Sequence, residues 1–505
     1  MSKLEVCTLV FISHLLSFFL LYPGWSAFIF GAIASLAFAP LHLFFLLAPC
    51  FAGLLILLYQ KTPKQGLILG WLFGLGHFTA GLYWIQFAFQ TANLGHIGPL
   101  AVIGLASILA VFTSLVGGLT ALWSVTRIQQ VWFFSSLWAL MEWLRSYILT
   151  GFPWNLVGYA WDISLLQTTA WIGIYGLSFL TVLAAASFAS KSTKLIISTS
   201  AILITLWATG SYRLSQAPYL ENKDINIRVV QASIPQQLKW QPDQQQKNLQ
   251  LYLSLSQLKA ERPLKAVLWP EAAVTLPFTE ESSLTSLLQT AVPEGGVLIT
   301  GGIRVLNTEG MNPKVYNSLF VVNSQAKIMG TYDKIHLTPF GEYVPLKNWL
   351  GIEKLTAGSL DFSVGESQKV LDIALLPPFQ PLICYEGIFP GSVIGSNSRA
   401  GWFVNLTNDA WFGESYGPHQ HLAIVRVRAI EHGIPLVRVA NNGISAVIDG
   451  YGRILHHLEL NQIGFIDFCL PQPLPQPTFY SHWRELCFII MIMLSLAVGY
   501  LCRPK

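Results

Sequence analysis

The sequence predicts a protein in two parts, a multi-span α-helical membrane bundle and an α/β domain outside the membrane. Of the 505 residues, 53% are hydrophobic and only 11% are charged, whereas a soluble domain is usually about 25% charged. Residues 6–60 and 65–126 contain no Asp, Glu, Lys or Arg. Short β-rich runs alternate with helical patterns over 214–485, as in layered α/β domains. We therefore expect the bundle over 1–213, the α/β domain over 214–485, and a C-terminal span with a short tail over 486–505.

Seven apolar stretches precede residue 213, and each approaches the roughly 20 residues that a spanning helix needs. The first is interrupted by Pro23-Gly24, so it forms either one broken span or a short pair. A cleaved signal peptide ending near Ala37-Phe-Ala39 is an alternative, although six more spans follow and an uncleaved span is simpler. The predicted spans are 7–38, 41–59, 66–90, 98–124, 131–149, 164–190 and 194–212, with a last one at 486–502.

The positive charges of the membrane part predict its orientation, because Lys and Arg concentrate in cytoplasmic loops. With these charges inside, the loops at 91–97 and 150–163, which carry no Lys or Arg, lie outside. The α/β domain then lies outside as well, after an odd number of crossings. The charges used are Lys61, Lys64, Arg127, Lys191, Lys194, Arg503 and Lys505.

Two charged residues, Glu142 and Arg145, interrupt the predicted span at 131–149. Their spacing puts them on one helix face. They form either a satisfied pair packed inside the bundle or at the interface, or a contact to a lipid headgroup or substrate. The turn at 151–155, Gly-Phe-Pro-Trp-Asn, follows them and carries an interfacial Trp.

The polar part of the chain shows the signals of an alternating α/β domain. Helix 418–432 opens at Gly417-Pro418 and stops before Gly433, as helix start and stop signals suggest. A Pro-rich linker at 471–477 leads back to the last span. The candidate strands are 225–231, 266–269, 297–301, 318–323, 381–384, 402–405, 436–440 and 446–449, and the other candidate helices are 242–261 and 281–291.

The composition excludes several classes of protein. The net charge of +4 and the absence of a basic tract argue against nucleic-acid binding, and no Cys/His spacing suggests a metal or another cofactor. The six cysteines do not make a disulfide framework. Four of them lie in or beside apolar runs (Cys7, Cys50, Cys487 and Cys502), which leaves Cys384 and Cys469 in the polar part.

Three residues of the polar part form a catalytic pattern. Cys384 ends a short apolar strand, which would present a thiol nucleophile to a cleft. Lys334 would lower the pKa of that thiol or hold an oxyanion together with the backbone N–H of Tyr385. Glu271 would take the thiol proton and return it to the leaving group. Each residue alone has an ordinary structural explanation as a buried thiol, a surface lysine or a helix cap, but together they favour an active site.

The sequence around these residues resembles a known family. Trp-Pro-Glu (269–271), Tyr-Asp-Lys-Ile-His-Leu-Thr-Pro-Phe-Gly-Glu-Tyr-Val-Pro (332–345) and Ile-Cys-Tyr-Glu (383–386) resemble the Glu-Lys-Cys triad of the nitrilase superfamily. Ile-Pro-Gln-Gln-Leu-Lys-Trp (234–240), Asn-Asp-Ala-Trp-Phe-Gly (408–413) and Asn-Asn-Gly (441–443) are more narrowly similar to the apolipoprotein N-acyltransferase family. The resemblance implies an αββα sandwich for the α/β domain.

The resemblance also implies a two-step reaction. Cys384 attacks an acyl ester of a phospholipid, of the phosphatidylethanolamine type, at the first glycerol position, and a thioester forms as lysophospholipid leaves. The α-amine of a diacylglyceryl cysteine at an apolipoprotein N-terminus then takes the acyl chain. A monomer in the bacterial inner membrane, with its catalytic domain on the periplasmic side, is expected.

Five further residues match positions near the triad of that family. By this resemblance Glu342 supports Lys334 and the second proton transfer, while Tyr385 and Glu386 shape the site beside the nucleophile. Trp240 and Trp411 match positions on mobile loops at the cleft mouth. As interfacial aromatic residues they are also expected to dip into lipid headgroups.

Two other functions are compatible with parts of the sequence. A membrane-tethered amidase or nitrile hydrolase would use the same triad with water in place of the amine, but it has no need of a multi-span domain. A transporter or receptor with a binding module would leave the Glu-Lys-Cys set unexplained. It would also need paired charges along several spans.

Overall fold

The computed structural model describes residues 21–278, 284–307, 313–345, 347, 354–355, 360–395 and 399–503. The chain divides into two compact units. The helical unit comprises Met1–Tyr83, Pro99–Tyr212 and Glu485–Lys505, and the α/β unit comprises Trp84–Gly98 and Arg213–Arg484. The inclusion of Trp84–Gly98 in the α/β unit is not a feature that the sequence predicts.

The helical unit begins the chain and is built from apolar helices. Two of them start at capping boxes, in which Thr62 and Thr126 accept hydrogen bonds from the backbone N–H groups of Gln65 and Gln129. The helices up to residue 215 are α1 Pro23–Ala34, α2 Leu47–Leu58, α3 Pro63–Gly81, α4 Ile85–Thr91, α5 Gly98–Trp123, α6 Arg127–Arg145, α7 Ile163–Leu166, α8 Thr169–Ser187 and α9 Thr193–Ser215, of which α4 belongs to the α/β unit.

The predicted number of membrane spans is not confirmed. Within the described ranges, three helices are long and apolar enough to cross a membrane, namely Gly98–Trp123, Thr169–Ser190 and Thr193–Ser215. The predicted span at 66–90 is split into α3 and α4, which could together make a fourth, broken span. Of the predicted run 7–38, residues 7–20 lie outside the described residues, and α1 covers part of the rest.

The charged pair in α6 is packed inside the helical unit. Glu142 and Arg145 are both buried. Glu142 Oε1 accepts hydrogen bonds from Trp138 Nε1 at 3.0 Å and from the backbone N–H of Val157 at 2.9 Å. Arg145 Nη1 donates to the carbonyl of Trp154 at 2.9 Å. Both side chains therefore hold the turn after α6 against the helix from inside the unit.

The α/β unit contains two sheets. The seven-stranded sheet has the order β12-β1-β2-β4-β5-β6, with β3 beside β4, and the five-stranded sheet has the order β11-β10-β9-β8-β7. Neighbours β1, β2 and β4 are parallel, as are β7, β8 and β9. The strands are β1 Glu221–Gln231, β2 Ala266–Leu268, β3 Val274–Phe278, β4 Val297–Leu306, β5 Lys314–Asn323, β6 Ile328–Asp333, β7 Phe379–Ile383, β8 Trp402–Thr407, β9 Leu436–Ala440, β10 Ser445–Ile448, β11 Ile454–Leu458 and β12 Gly464–Pro471.

Alternation along the strands builds the layers of this unit. Val229 of β1 packs into a core shared with Val404 of β8, so the two sheets lie face to face. Val230 points to the opposite face, where Tyr252 and Leu288 of two helices cover the sheet. Helix α13 covers the outer face of the second sheet. The order helix, sheet, sheet, helix agrees with the predicted αββα sandwich. The remaining helices are α10 Gln236–Lys239, α11 Pro242–Gln257, α12 Leu284–Leu288, α13 Gly417–His432, α14 Phe479–Trp483 and, in the helical unit, α15 Leu486–Leu501.

Most predicted elements of the α/β unit are present, with a few differences. Strands β3, β6, β11 and β12 are not predicted from the sequence. The predicted helix 281–291 falls partly outside the described residues and is α12 followed by a 3₁₀ turn. Cys384 does not end a strand, since β7 stops at Ile383 and Cys384 begins the 3₁₀ helix Cys384–Ile388.

Candidate active site

Glu271 lies in the turn after β2, and its side chain is buried, with 7% of its surface exposed. The preceding Trp269 anchors this turn, because its Nε1 donates to Ser256 Oγ at 2.9 Å. Gly301 of β4 lies under the turn, and a Cβ there would come within 2.7 Å of the Glu271 Cα. Only glycine permits this approach, which fixes the position of the carboxylate.

Lys334 directly follows β6 and is buried, with 1% of its surface exposed. Its Nζ lies 2.8 Å from Glu342 Oε2 and 3.5 Å from Glu271 Oε1. Its backbone N–H donates to the Asn317 carbonyl at 2.8 Å. Burial acts to lower the pKa of Lys334, but the carboxylates of Glu342 and Glu271 outweigh it and raise this pKa. The ammonium therefore stays charged.

Glu342 is the second buried carboxylate at Lys334. Its Oε2 also accepts a hydrogen bond from the backbone N–H of Thr338 at 2.8 Å. Burial acts to raise the pKa of Glu342, but Lys334 and these hydrogen bonds outweigh it and lower this pKa. The carboxylate is thus held in its charged form beside the lysine.

Asn317 joins the two carboxylates and is a residue that the sequence analysis missed. Its Nδ2 donates to Glu271 Oε1 and to Glu342 Oε1, both at 2.8 Å. The residue lies in β5, where Asn317-Ser318 is a polar pair inside a largely apolar strand. This polar pair is the feature of the sequence that could have indicated Asn317, because buried polar residues in a strand need hydrogen-bond partners.

Cys384 stands at the start of the 3₁₀ helix with a left-handed backbone, at φ 51°. This conformation is strained for a residue other than glycine and is common at functional sites. The side chain is half-buried, and the Thr407 hydroxyl hydrogen-bonds to the thiol. Burial and the negative charge of Glu271 raise the pKa of Cys384 to about 12, while Lys334 acts in the opposite direction. The resting side chain is therefore a neutral thiol that needs a proton acceptor.

Glu386 ties the turn of the nucleophile to the segment after Lys334. Its Oε2 accepts a hydrogen bond from the Ile383 N–H at 2.7 Å, and its Oε1 accepts from Tyr332 Oη at 2.9 Å, from the Ile335 N–H at 2.7 Å and from the His336 N–H at 3.2 Å. Burial raises the pKa of this carboxyl. Glu386 thus fixes the position of Cys384 relative to Lys334.

The three aromatic residues predicted around the site lie on short turns. Tyr385 is buried beside Cys384, with its ring centroid 5.0 Å from that of Phe389. Trp240 follows α10 directly, and Trp411 lies in the 3₁₀ helix Asp409–Phe412. Both tryptophans are half-buried.

Helix α4 packs against the turn that carries Trp411. The Trp84 and Phe412 ring centroids lie 4.5 Å apart, and a Cβ at Gly413 would meet the Phe87 ring. Residues 84–90, the end of the predicted membrane span at 66–90, therefore border the turn that carries Trp411.

A second buried lysine also reaches the site. Lys239, the last residue of α10, is 1% exposed, and its Nζ donates to the backbone carbonyl of Glu271 at 3.0 Å. Its motif, Ile-Pro-Gln-Gln-Leu-Lys-Trp (234–240), does not by itself predict this contact.

Comparison with known proteins agrees with both units. The family model of the carbon-nitrogen hydrolases matches residues 226–468, and the Glu-Lys-Cys arrangement lies within that range. The α/β unit therefore has the characteristics of this class of enzyme. The model of the apolipoprotein N-acyltransferase N-terminal domain matches residues 30–187.

Curated relatives match nearly the whole chain. The apolipoprotein N-acyltransferase of Rickettsia prowazekii is 38% identical over an alignment of 484 positions, which covers 93% of this chain and 96% of the relative. That of Rhodopseudomonas palustris is 35% identical over an alignment of 521 positions, gaps included, which covers 96% of each chain. Among solved structures, an amidase from Nesterenkonia sp. is 18% identical, with a TM-score of 0.38, and the match covers 54% of this chain and 98% of the amidase.

The chain therefore belongs to the apolipoprotein N-acyltransferase family, a group of acyltransferases in the carbon-nitrogen hydrolase superfamily. This membership decides against a small-amide hydrolase and against a transporter or receptor.

Proposed function

We propose that this enzyme moves an acyl chain from a phospholipid to the N-terminal amine of a diacylglyceryl apolipoprotein, through a thioester on Cys384. The observation that carries the proposal is the contact of buried Lys334 with Glu271 and Glu342, beside the thiol. The relatives are named for the same transfer to apolipoproteins.

In the first half-reaction, Glu271 takes the proton of the Cys384 thiol while Sγ attacks the ester carbonyl carbon. The carbonyl oxygen becomes an oxyanion, which Lys334 Nζ and the backbone N–H of Tyr385 stabilise. The C–O bond to the glycerol oxygen then breaks, and Glu271 returns the proton to that oxygen. The products are a thioester and a lysophospholipid, and no cofactor is needed.

In the second half-reaction, the lipoprotein α-amine attacks the thioester carbonyl carbon. Glu271 accepts a proton from the amine, with Glu342 keeping Lys334 in place as charge develops. The C–S bond breaks, the thiolate regains a proton and an amide is released. Water must be kept from the thioester, and Trp240 and Trp411 are the aromatic residues we assign to the mouth of the cleft.

Both substrates are lipid-anchored, which places the reaction at a bilayer surface. We propose an enzyme of the bacterial inner membrane that acts as a monomer, with the α/β unit on the periplasmic side. The loop charges support this orientation. A protease added to sealed vesicles of known orientation should cut residues 214–485 from the periplasmic face. Cleavage from the cytoplasmic face would reverse the assignment.

Trapping the acyl-enzyme tests the mechanism. Full-length protein incubated with vesicles containing phosphatidylethanolamine with a labelled acyl chain should gain one hydroxylamine-sensitive acyl group, located at Cys384 by mass spectrometry. Cys384→Ala should gain none, because the nucleophilic sulfur is missing.

The matched control is Cys469→Ala, which removes another thiol of the α/β unit. It should retain acylation. The mechanism is wrong if Cys384→Ala still accumulates the labelled thioester, or if the wild type transfers acyl chains without ever carrying one on Cys384.

A further inference from the structure

Three sequence motifs that the proposed mechanism leaves almost unused meet in the α/β unit. Asn441 Nδ2 donates to the Ile234 carbonyl at 2.8 Å and to Asn408 Oδ1 at 3.1 Å. Asn408 Nδ2 in turn donates to Gln236 Oε1 at 2.8 Å. Both asparagines are buried. This asparagine clasp (Asn408 and Asn441) fixes the segment 234–240, which contains α10.

The asparagine clasp positions Lys239 at the active site. A buried lysine is rare unless it is paired, because its ammonium group has three N–H donors and loses its hydration. Lys239 is nevertheless almost fully buried, and its Nζ donates to the carbonyl of Glu271, the residue assigned as the proton acceptor. The charge therefore lies at the backbone of a catalytic carboxylate.

A second ammonium group would complete the charge balance of the site. With both carboxylates ionised, Glu271, Glu342 and Lys334 carry one net negative charge. A thiolate on Cys384 would add a second negative charge in a buried setting, which is strongly unfavourable. One more cation beside Glu271 brings the resting site to neutrality and lowers the free energy of the thiolate.

We propose that Lys239 is a positioning residue whose buried ammonium, fixed at Glu271 by the asparagine clasp, supports formation of the Cys384 thiolate. This role rests on the proposed function, in which Cys384 is the nucleophile.

The titration of Lys239 agrees with this role. Burial lowers its pKa to about 8, while the charges of Glu271 and Cys384 act to raise it. Lys239 is therefore mostly protonated at neutral pH, where its charge favours a thiolate on Cys384. It loses its charge only as the pH rises through about 8.

The test measures the titration of the nucleophile in the full-length enzyme in phospholipid vesicles. The rate of iodoacetamide alkylation at Cys384, followed by peptide mass spectrometry across a pH series, reports thiolate formation. Lys239→Met keeps the length of the side chain and removes its charge. We expect its alkylation below about pH 8, where Lys239 is charged in the wild type, to be about tenfold slower, with acylation tenfold or more slower and the KM for phospholipid little changed.

Two comparisons separate the charge from the fold. Lys247→Met makes the same change at an exposed position of α11 and should leave the profile unchanged. Lys239→Arg keeps the charge and should recover most of the wild-type profile. If Lys239 only stabilised the fold, Lys239→Met would have the same alkylation profile as the wild type.

A further variant tests the proposal if the Lys239→Met protein does not fold. Gln236→Ala leaves Lys239 in place and cuts one bond of the clasp, so it should slow alkylation below about pH 8 by a smaller factor. The proposal is overturned if folded Lys239→Met titrates like the wild type, or if Gln236→Ala does so where Lys239→Met does not fold. Alkylation does not depend on acyl transfer, so failure of the thioester mechanism would show separately, as acyl transfer that survives Cys384→Ala.

Discussion

The α/β unit holds two buried charged clusters near Cys384, and they are built differently. The site network joins one ammonium, Lys334, to two carboxylates. The second cluster pairs Asp409 with Arg438 at 2.6 Å and with His421 at 3.0 Å. Burial and the neighbouring Arg438 lower the pKa of His421, so that its ring stays neutral. One cluster therefore has an excess of negative charge, whereas the other is balanced.

The balanced cluster makes further hydrogen bonds through Arg438. Arg438 donates to Asn405 Oδ1 at 2.6 Å and to the Ile444 carbonyl at 3.3 Å in addition to Asp409. Burial acts to raise the pKa of Asp409, but Arg438 and His421 outweigh it and hold this pKa well below its usual range. Such a cluster suits a structural role, because no proton needs to move. The site network instead contains Glu271, the carboxylate to which we assign the proton of Cys384.

The largest effect expected from this comparison is on stability. Arg438→Met should destabilise the α/β unit by about 3–5 kcal/mol, since it leaves the Asp409 carboxylate buried without its counter-ion. The measurement is chemical unfolding of the full chain in detergent, followed by tryptophan fluorescence. Arg453→Met breaks a partly exposed pair with Asp449 and should cost about 1 kcal/mol or less. Equal losses in the two variants would contradict the structural assignment.

The same variant should show a defined pH dependence. In the wild type the pKa of Asp409 is depressed in the folded state. Its contribution to stability is therefore complete above the unfolded pKa, about 3.9, and is lost as the pH falls through the folded pKa. The stability difference between the wild type and Arg438→Met should narrow on acidification below about pH 4. A difference that stays constant to low pH would show that packing, rather than charge, is what Arg438 supplies.

A catalytic effect is expected from the site network. Lys334→Met removes the ammonium that we assign to the oxyanion, so single-turnover acylation by labelled phospholipid should slow by about 10²–10³. The pKa of Glu342 should rise at the same time, because burial remains while its counter-ion is gone. Lys347→Met is the matched control, since Lys347 forms an ion pair with Asp361 at 3.1 Å and its side chain is 42% exposed. Acylation by Lys334→Met within tenfold of the control would remove Lys334 from the mechanism.

The sequence predicted the members of the site network better than their contacts. Glu271, Lys334 and Cys384 stand in short motifs at strand ends, where local pattern is informative. Asn317 was missed because its role depends on strand pairing, which brings β5 between the turns that carry the two carboxylates. Lys239 stands in a recognisable motif, but its burial depends on the asparagine clasp. In that clasp Ile234 is bonded to Asn441, which lies 207 positions further along the chain.

The helical part of the chain also shows where prediction from the sequence fails. The sequence predicts a continuous span at 66–90, because residues 82–90 continue the apolar stretch without a charged side chain. The helix nevertheless breaks after Gly81, and Trp84 packs against Phe412 in the α/β unit. A distant tertiary contact thus outweighs a local apolar pattern, which the sequence of the segment alone does not reveal.

The smallest expected effect tests whether the two clusters are connected. The Thr407 hydroxyl, with its single proton, donates to Asp409 Oδ1 at 3.1 Å beside the resting thiol. It can donate to the sulfur instead once the thiolate forms, and this hydrogen bond lowers the pKa of Cys384. Thr407→Val keeps the shape of the side chain and removes both bonds, each of which contributes about 0.5–1.5 kcal/mol. The pKa of Cys384 should rise by less than one unit, and iodoacetamide alkylation at fixed pH should slow a few-fold.

Thr407→Ser is the control for this change, because it retains the hydroxyl and should alkylate at the wild-type rate. If Thr407→Val matched the wild type across the pH series, Asp409 and Arg438 would serve stability alone. If it alkylated more slowly, as we expect, the balanced cluster would also act on the nucleophile, since Asp409 and the Cys384 sulfur share the Thr407 hydroxyl.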